Sequence, residues 1–138
     1  VKEVILKTFS RKQITKNINY FDKILFEFAN DNNAIAFVAY QNKKPIAATF
    51  CVYDQNSAYY LFGGYDAESK HHGAGVSCMW QSILYAKQIG LKTFDFEGSM
   101  IPEVEKYFRG FGGKLVPYYA VYKASLPLKV LLKLSSRI

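Results

Sequence analysis

The stretch LKTFDFEGSMIPEVEKYFRGFGG, residues 91–113, decides how the rest of the chain is read. Its opening alternates, with Thr93, Asp95 and Glu97 on one face of a strand and Phe94 and Phe96 on the other. Gly98 and Ser99 break the alternation. Pro102 then suits the first turn of a helix, where no amide donor is missed. Glu103 and Glu105 early in that helix, and Lys106 and Arg109 late in it, complement its dipole. Gly110-Phe111-Gly112-Gly113 ends it. Two carboxylates, Asp95 and Glu97, thus belong to a strand's carboxyl end, near a short helix that closes on an arginine. An ordinary strand–loop–helix connection with solvated acids fits the same residues.

Working outward, a helix over 76–89 precedes the strand, with Met79, Ile83, Leu84 and Ile89 on its apolar side and Gly90 as its stop. Before it lies a strand over 57–65. Strand–helix–strand connections cross over, so 57–65 and 91–96 are expected to be parallel neighbours; the pair Gly63-Gly64 opposite the strand end at Phe96-Glu97-Gly98 places their expected divergence near Gly63 and Phe96. The runs 34–40, 45–53 and 57–65 are joined by polar turns at 41–44 and 54–56, which predicts an antiparallel meander. Toward the N-terminus, Val1, Val4, Ile5, Thr8 and Phe9 recur at helical spacing over 1–10. After a polar loop at 11–17, a second helix is expected over 20–30, capped by Asn17 or Asn19, with Phe21, Ile24, Leu25 and Phe28 facing the core. Downstream, 114–123 reads as an aromatic strand. The tail 126–138 reads as a basic helix, with Lys129, Lys133 and Arg137 recurring every four residues.

At 138 residues the chain is expected to be a single domain, 1–138, and its 50% hydrophobic and 17% aromatic content marks it as globular rather than disordered. A net charge of +7 favours anionic partners: a nucleotide cofactor, tRNA or an anionic membrane face. The same charge also serves plain solubility. Cys51 and Cys78 sit in apolar patterns without metal or redox spacing, so buried reduced thiols in a cytoplasmic protein are expected. No apolar run reaches transmembrane length.

Three groups of residues could carry chemistry. Gly63 and Gly64 stand where a strand former is expected; glycine there marks either a packing kink or a backbone that a ligand approaches. Lys70-His71-His72-Gly73-Ala74-Gly75 opens a helix, where free amides and the positive helix end attract an anion. A turn that merely needs glycine fits equally. His71 and His72 have no third ligand at metal spacing, so no metal site is assigned. Asp95 and Glu97 are the general-base candidates, and Arg109 could bind an anion or a developing oxyanion, though never act as a base.

The runs Asp95-Phe96-Glu97-Gly98, Phe108-Arg109-Gly110-Phe111-Gly112 and Val116-Pro117-Tyr118-Tyr119 resemble the FemAB-type acyltransferases of the GNAT superfamily. That resemblance implies an α/β (α+β) acyl-CoA N-acyltransferase fold: a mixed, mostly antiparallel sheet with one splayed parallel pair and flanking helices. It implies transfer of an acetyl or aminoacyl group to an amine, from acetyl-CoA, another acyl-CoA or an aminoacyl-tRNA. In such folds the coenzyme's pyrophosphate lies on a loop matching Lys70, Gly73, Ala74 and Gly75, with Lys70 where Gln or Arg is usual. The donor arm enters the splay beside Gly63 and Gly64. Arg109 fills the basic position tied to substrate binding. Tyr107 stands one residue out of register with the tyrosine that protonates the leaving group in ordinary acetyltransferases. FemAB-type proteins commonly lack the coenzyme loop and usually pair two such halves, so the resemblance implies that this chain corresponds to the C-terminal half, with an N-terminal GNAT-like domain as its expected partner. A non-catalytic binding half is the alternative function, and a membrane-surface module using the basic tail a weaker one.

Overall fold

A computed structural model describes residues 1–11, 18–99 and 101–117, together with Tyr119 and Lys123. Helix α1 spans Lys2–Arg11, and α2, Ile18–Asp22, runs on into a π-helical segment, Lys23–Phe28. Strands β1 (Ala34–Gln41), β2 (Lys44–Tyr53) and β3 (Ser57–Tyr65) follow, then a 3-10 turn at Ala67–Ser69 and helix α3 (Ala74–Gln88). Strand β4 is only Thr93–Asp95, and α4 is Pro102–Arg109. The sheet order is β1-β2-β3-β4, antiparallel except for the β3–β4 pair. The expected mixed sheet with one parallel pair is therefore present.

Local chemistry explains the connections. Asn42 and Lys43 both have positive φ (50° and 64°), which two-residue hairpins require to match strand twist. Asp54 accepts from the Asn56 and Ser57 amides at 2.8 and 2.9 Å and so shapes the β2–β3 turn. Gly90, at φ 86°, supplies the left-handed residue after α3.

The sheet is covered on both faces. On one, Ile5 of α1 and Phe21 of α2 pack against Phe50 and Phe62; the Phe21 and Phe62 rings meet edge-on at 4.7 Å. On the other, α3 lies over Ile35, Ala47, Cys51 and Ala58. A register shift between Phe50 and Cys51 leaves Leu61 as the extra residue of a bulge. Downstream of it Phe62 and Gly64 face α1, whereas Gly63 shares the α3 side with Tyr60.

Four expectations need correction. The second helix winds as a π-helix from Lys23, turning less per residue than an α-helix, and Phe28 thereby leaves the core face and is 56% exposed. The core side of α3 is Ala74, Cys78, Ser82 and Ala86 with Met79, while Leu84 and Ile89 are exposed. The helix rides close to the sheet: Thr49 Oγ1 meets Ser82 Oγ at 2.8 Å and donates to Cys78 O at 3.3 Å. Only small side chains fit at that separation. Strand β4 is shorter than 91–96, because Glu97 turns to φ 60° directly after Phe96. Residues 113–117 join no strand, with Leu115 and Val116 exposed. The remainder of the expected aromatic strand, Tyr118 and 120–122, and the tail 126–138 lie outside the described residues.

Candidate active site

The carboxyl ends of the parallel pair point to the same end of the molecule as the N-terminus of α3. Asp66 organises the link between them. Its amide donates to Ile46 O at 2.7 Å, and its buried carboxylate accepts from the Glu68 amide at 3.0 Å. Lys44 Nζ stands 3.1 Å away and Lys7 Nζ 3.5 Å. The Lys44 ammonium, then the Glu68 amide, hold this carboxyl below the usual carboxylate range. Lys70, at φ 54°, then reverses the chain into Gly73, the N-cap of α3. Asp66 was missed as a supporting residue. An aspartate directly after a strand, two residues before a possible turn amide, was the available signal.

The loop residues divide by role. A Cβ on Gly75 would meet nothing within 4 Å, and one on Gly73 only the His71 ring, at 3.8 Å. Neither glycine is demanded by packing, and both leave the helix entry open. Ala74 is buried against Ile46, Ala47 and Cys78, so its side chain belongs to the core. Its amide reaches His71 O at 3.4 Å, and Ser77 N donates to Gly73 O at 2.9 Å. The amides of Gly75 and Val76 are first-turn donors with no helical carbonyl four residues back. Lys70, His71 and His72 are exposed beside them.

The last hydrogen-bonded pair between β3 and β4 is Tyr59 with Asp95; beyond it residues 60–65 run on without a β4 neighbour. The strands part as expected, though four residues before Gly63. Gly64 answers to packing: a Cβ there would strike Thr8 Oγ1, and would lie 2.9 Å from Thr8 Cβ and 3.1 Å from Val4 O. At Gly63 it would strike the Tyr60 hydroxyl.

Asp95 and Glu97 are both exposed at this opening. Asp95 Oδ1 accepts from the Glu97 amide at 2.7 Å and holds Glu97 in its left-handed conformation. Among the described residues Arg109 forms no ion pair with either of these carboxylates. Arg109 Nε instead binds Glu105 at 2.8 Å, one turn back on α4, an i,i+4 pair along its own helix.

Tyr107 does reach the site. Its hydroxyl donates to Gly75 O at 3.3 Å and ties α4 to the first turn of α3. Burial pushes its phenol up to about 12, so it stays protonated at neutral pH. Beside it is a mostly apolar depression of about 400 Å³ lined by Val76, Glu103, Lys106, Tyr107, Gly110 and Phe111. Behind α4, Phe96 stacks on Phe108 at 5.0 Å and lies 6.0 Å from Phe111. Both cysteines are free and buried. Burial raises both thiols, that of Cys51 to about 12, which keeps them from acting as nucleophiles. Among the described residues no group of three or more His, Cys, Asp or Glu is arranged to hold a metal ion.

A family model described as "Acetyltransferase (GNAT) domain" matches residues 11–109. No curated protein sequence matches the chain. Solved structures with a similar fold include an aminoglycoside acetyltransferase from an uncultured soil metagenomic sample, in complex with trehalose. It is 16% identical, with 86% of each chain covered and a TM-score of 0.60. A ribosomal-protein-alanine N-acetyltransferase from Brucella melitensis biovar Abortus 2308 is 11% identical, covering 88% of this chain and 87% of its own, with a TM-score of 0.60. The aminoglycoside N-acetyltransferase AAC(6')-Iy, in complex with CoA, is 11% identical over 71% of each chain, with a TM-score of 0.55.

Proposed function

Because the chain belongs to the acetyltransferase (GNAT) domain family, we propose that it transfers an acetyl group from acetyl-CoA to an amine. The observation that carries this reading is the open entry to α3. The 15-residue helix presents first-turn amides at Gly75 and Val76, two glycines whose missing side chains leave space, and a neighbouring apolar depression. Such an entry suits a diphosphate with an organic arm. Lys70, His71 and His72 add cationic or titratable groups beside it.

The bound coenzyme would supply the activated acyl thioester; the chain's own residues position and move protons. Residues 60–65 of β3, beyond their last β4 partner among the described residues, offer a strand edge along which the arm can lie. Asp95 and Glu97, exposed at the same opening, are the groups to take a proton from the acceptor amine. The protonated Tyr107 hydroxyl, held against Gly75 O at 3.3 Å, is the group to return a proton to the leaving thiolate. Most of the acceleration in this scheme comes from holding donor and acceptor together. An aminoacyl-tRNA donor of the FemAB type would leave the glycine entry without a role.

Titration calorimetry of the whole chain with acetyl-CoA tests the reading. Binding should be saturable, and Gly75→Asp should abolish it by placing a carboxylate at the anion site. Absence of heat with the wild-type chain would overturn the coenzyme donor and favour an aminoacyl-tRNA donor or a non-catalytic binding role.

A further inference from the structure

The last turns of α1 and the link from β3 to α3 flank a depression of about 360 Å³, lined by Lys7, Ser10 and Arg11 on one side and by Tyr65, Asp66 and Glu68 on the other. Residues 7, 10 and 11 share one face of a helix, so three hydrogen-bond donors border the same space. Arg11 is the most firmly placed of them. Its guanidinium lies over the Tyr65 ring, with Cζ 4.4 Å from the centroid, and Nη1 donates to Tyr65 O at 3.3 Å. Among the described residues no carboxylate pairs with it. Lys7 is held more loosely: its Nζ stands 3.3 Å from Glu3 and 3.5 Å from Asp66, longer than the roughly 2.7–2.9 Å of a strong charge-assisted bond. Asp66 does not reverse this balance, because its carboxylate is buried and engaged by Lys44 and the Glu68 amide. Glu68 itself is exposed.

The depression thus offers a fixed planar cation, an ammonium and a hydroxyl beside it, and one exposed carboxylate across from them. A ligand with one carboxylate and one amine suits that set. A polyanion meets Glu68, and a polycation meets Lys7 and Arg11. We propose that this depression is the acceptor subsite and that the acceptor is an amino acid, held by its carboxylate on the Arg11 fork with Lys7 and Ser10 beside it. The acceptor role rests on the acetyl-transfer reading above. The depression meets the donor opening at Tyr65, the last residue of β3, and is built on the α1 side of the sheet, whereas α3 covers the other face. An amino acid held there does not compete with a diphosphate at the α3 entry. In the transfer the acetyl group leaves the coenzyme sulfur for the amino nitrogen, which gives up a proton as the thiolate takes one up.

Thermal-shift titration of the whole chain with free L-amino acids, their C-terminal amides and inorganic phosphate tests it. At least one amino acid should raise the melting temperature saturably, and its amide should bind at least roughly tenfold more weakly, as expected when a charge-assisted pair is lost. Arg11→Ala should weaken the amino acid by a similar factor, and Arg11→Lys should restore only part of it, because the fork is gone. Lys87→Ala, an exposed cation elsewhere, should change nothing. Arg11 is exposed, and the unliganded melting temperature checks that its variants fold. A shift with no amino acid, an equal response to acid and amide, a response to phosphate alone, or undiminished binding by folded Arg11→Ala overturns this inference alone. With acetyl-CoA added, the bound amino acid should gain an acetyl group, read by mass. Binding of both ligands without acetylation overturns the acceptor role. Failure to bind acetyl-CoA overturns the coenzyme reading and the acceptor role with it.

Discussion

Gly64 separates a ligand-driven glycine from a packing-driven one. It lies in the splayed half of β3, where a backbone left bare for a donor is one explanation. Its missing Cβ instead makes room for Thr8 and the Val4 carbonyl of α1. Thr8 Oγ1 is itself fixed there, accepting from the Tyr65 amide at 3.1 Å and donating to Val4 O at 3.1 Å. Gly64→Ala should therefore destabilise the protein by about 1–3 kcal/mol, the usual cost of overpacking, read as a lower melting temperature. Coenzyme affinity should stay nearly unchanged once the variant is folded. Arg109 shows the complementary case. Its residue type suggested chemistry, but its guanidinium is 65% exposed and tied to Glu105 on its own helix.

At the scale of elements, α3 does two things with two faces. Its buried face is built on Ala74, Cys78, Ser82 and Ala86, four apart each time, which brings the helix axis down onto β2 and fixes its N-terminus beside the end of β3. Its other face carries Val76, Trp80 and Leu84, exposed among the described residues. Enlarging the buried face should lift the helix. Ala86→Leu should cost about 1–3 kcal/mol of stability through overpacking against Ile35, Cys51 and Ala58. A substitution of the same size at exposed Lys87 should change the melting temperature little. Comparing the two melting temperatures checks whether the small-residue face is the packed one.

On the scale of the molecule, Asp66 joins α1, the end of the β1–β2 turn and the loop into α3 through Lys7, Lys44 and the Glu68 amide. Its folded-state pKa is lowered, so it contributes stability above the unfolded value, near 3.9, and that contribution is lost as pH falls through the lower folded value. Lys7 shifts the other way, raised mainly by its hydrogen bond to Glu3, and its contribution is lost only in strong base. The melting temperature should thus hold steady from neutral pH down to about 5 and fall below about 4. In Asp66→Asn it should start lower at neutral pH and fall less steeply in acid. Some acid slope will remain, because the amides of Asn56 and Ser57 hold Asp54 down in the same way. An unchanged acid limb in Asp66→Asn would show that this junction does not govern acid stability.

Much of this architecture is local and was legible in the residues. The meander follows from alternation and turn chemistry at Asn42-Lys43 and Asp54, and the parallel β3–β4 pair from the handedness of strand–helix–strand connections. The first turn and charge order of α4 follow from Pro102, Glu103, Glu105 and Arg109. What only the tertiary structure decided are separations between elements. How close α3 lies to the sheet chose its small face over its large one. How close α1 lies to β3 gave Gly64 its purpose, and the bulge at Leu61 turned the Tyr60 ring onto Gly63. Periodicity specifies which residues share a face but not the distance to what covers it. That distance is set by the summed volumes of side chains far apart in sequence, and it is what separates a glycine kept for packing from one left open for a ligand.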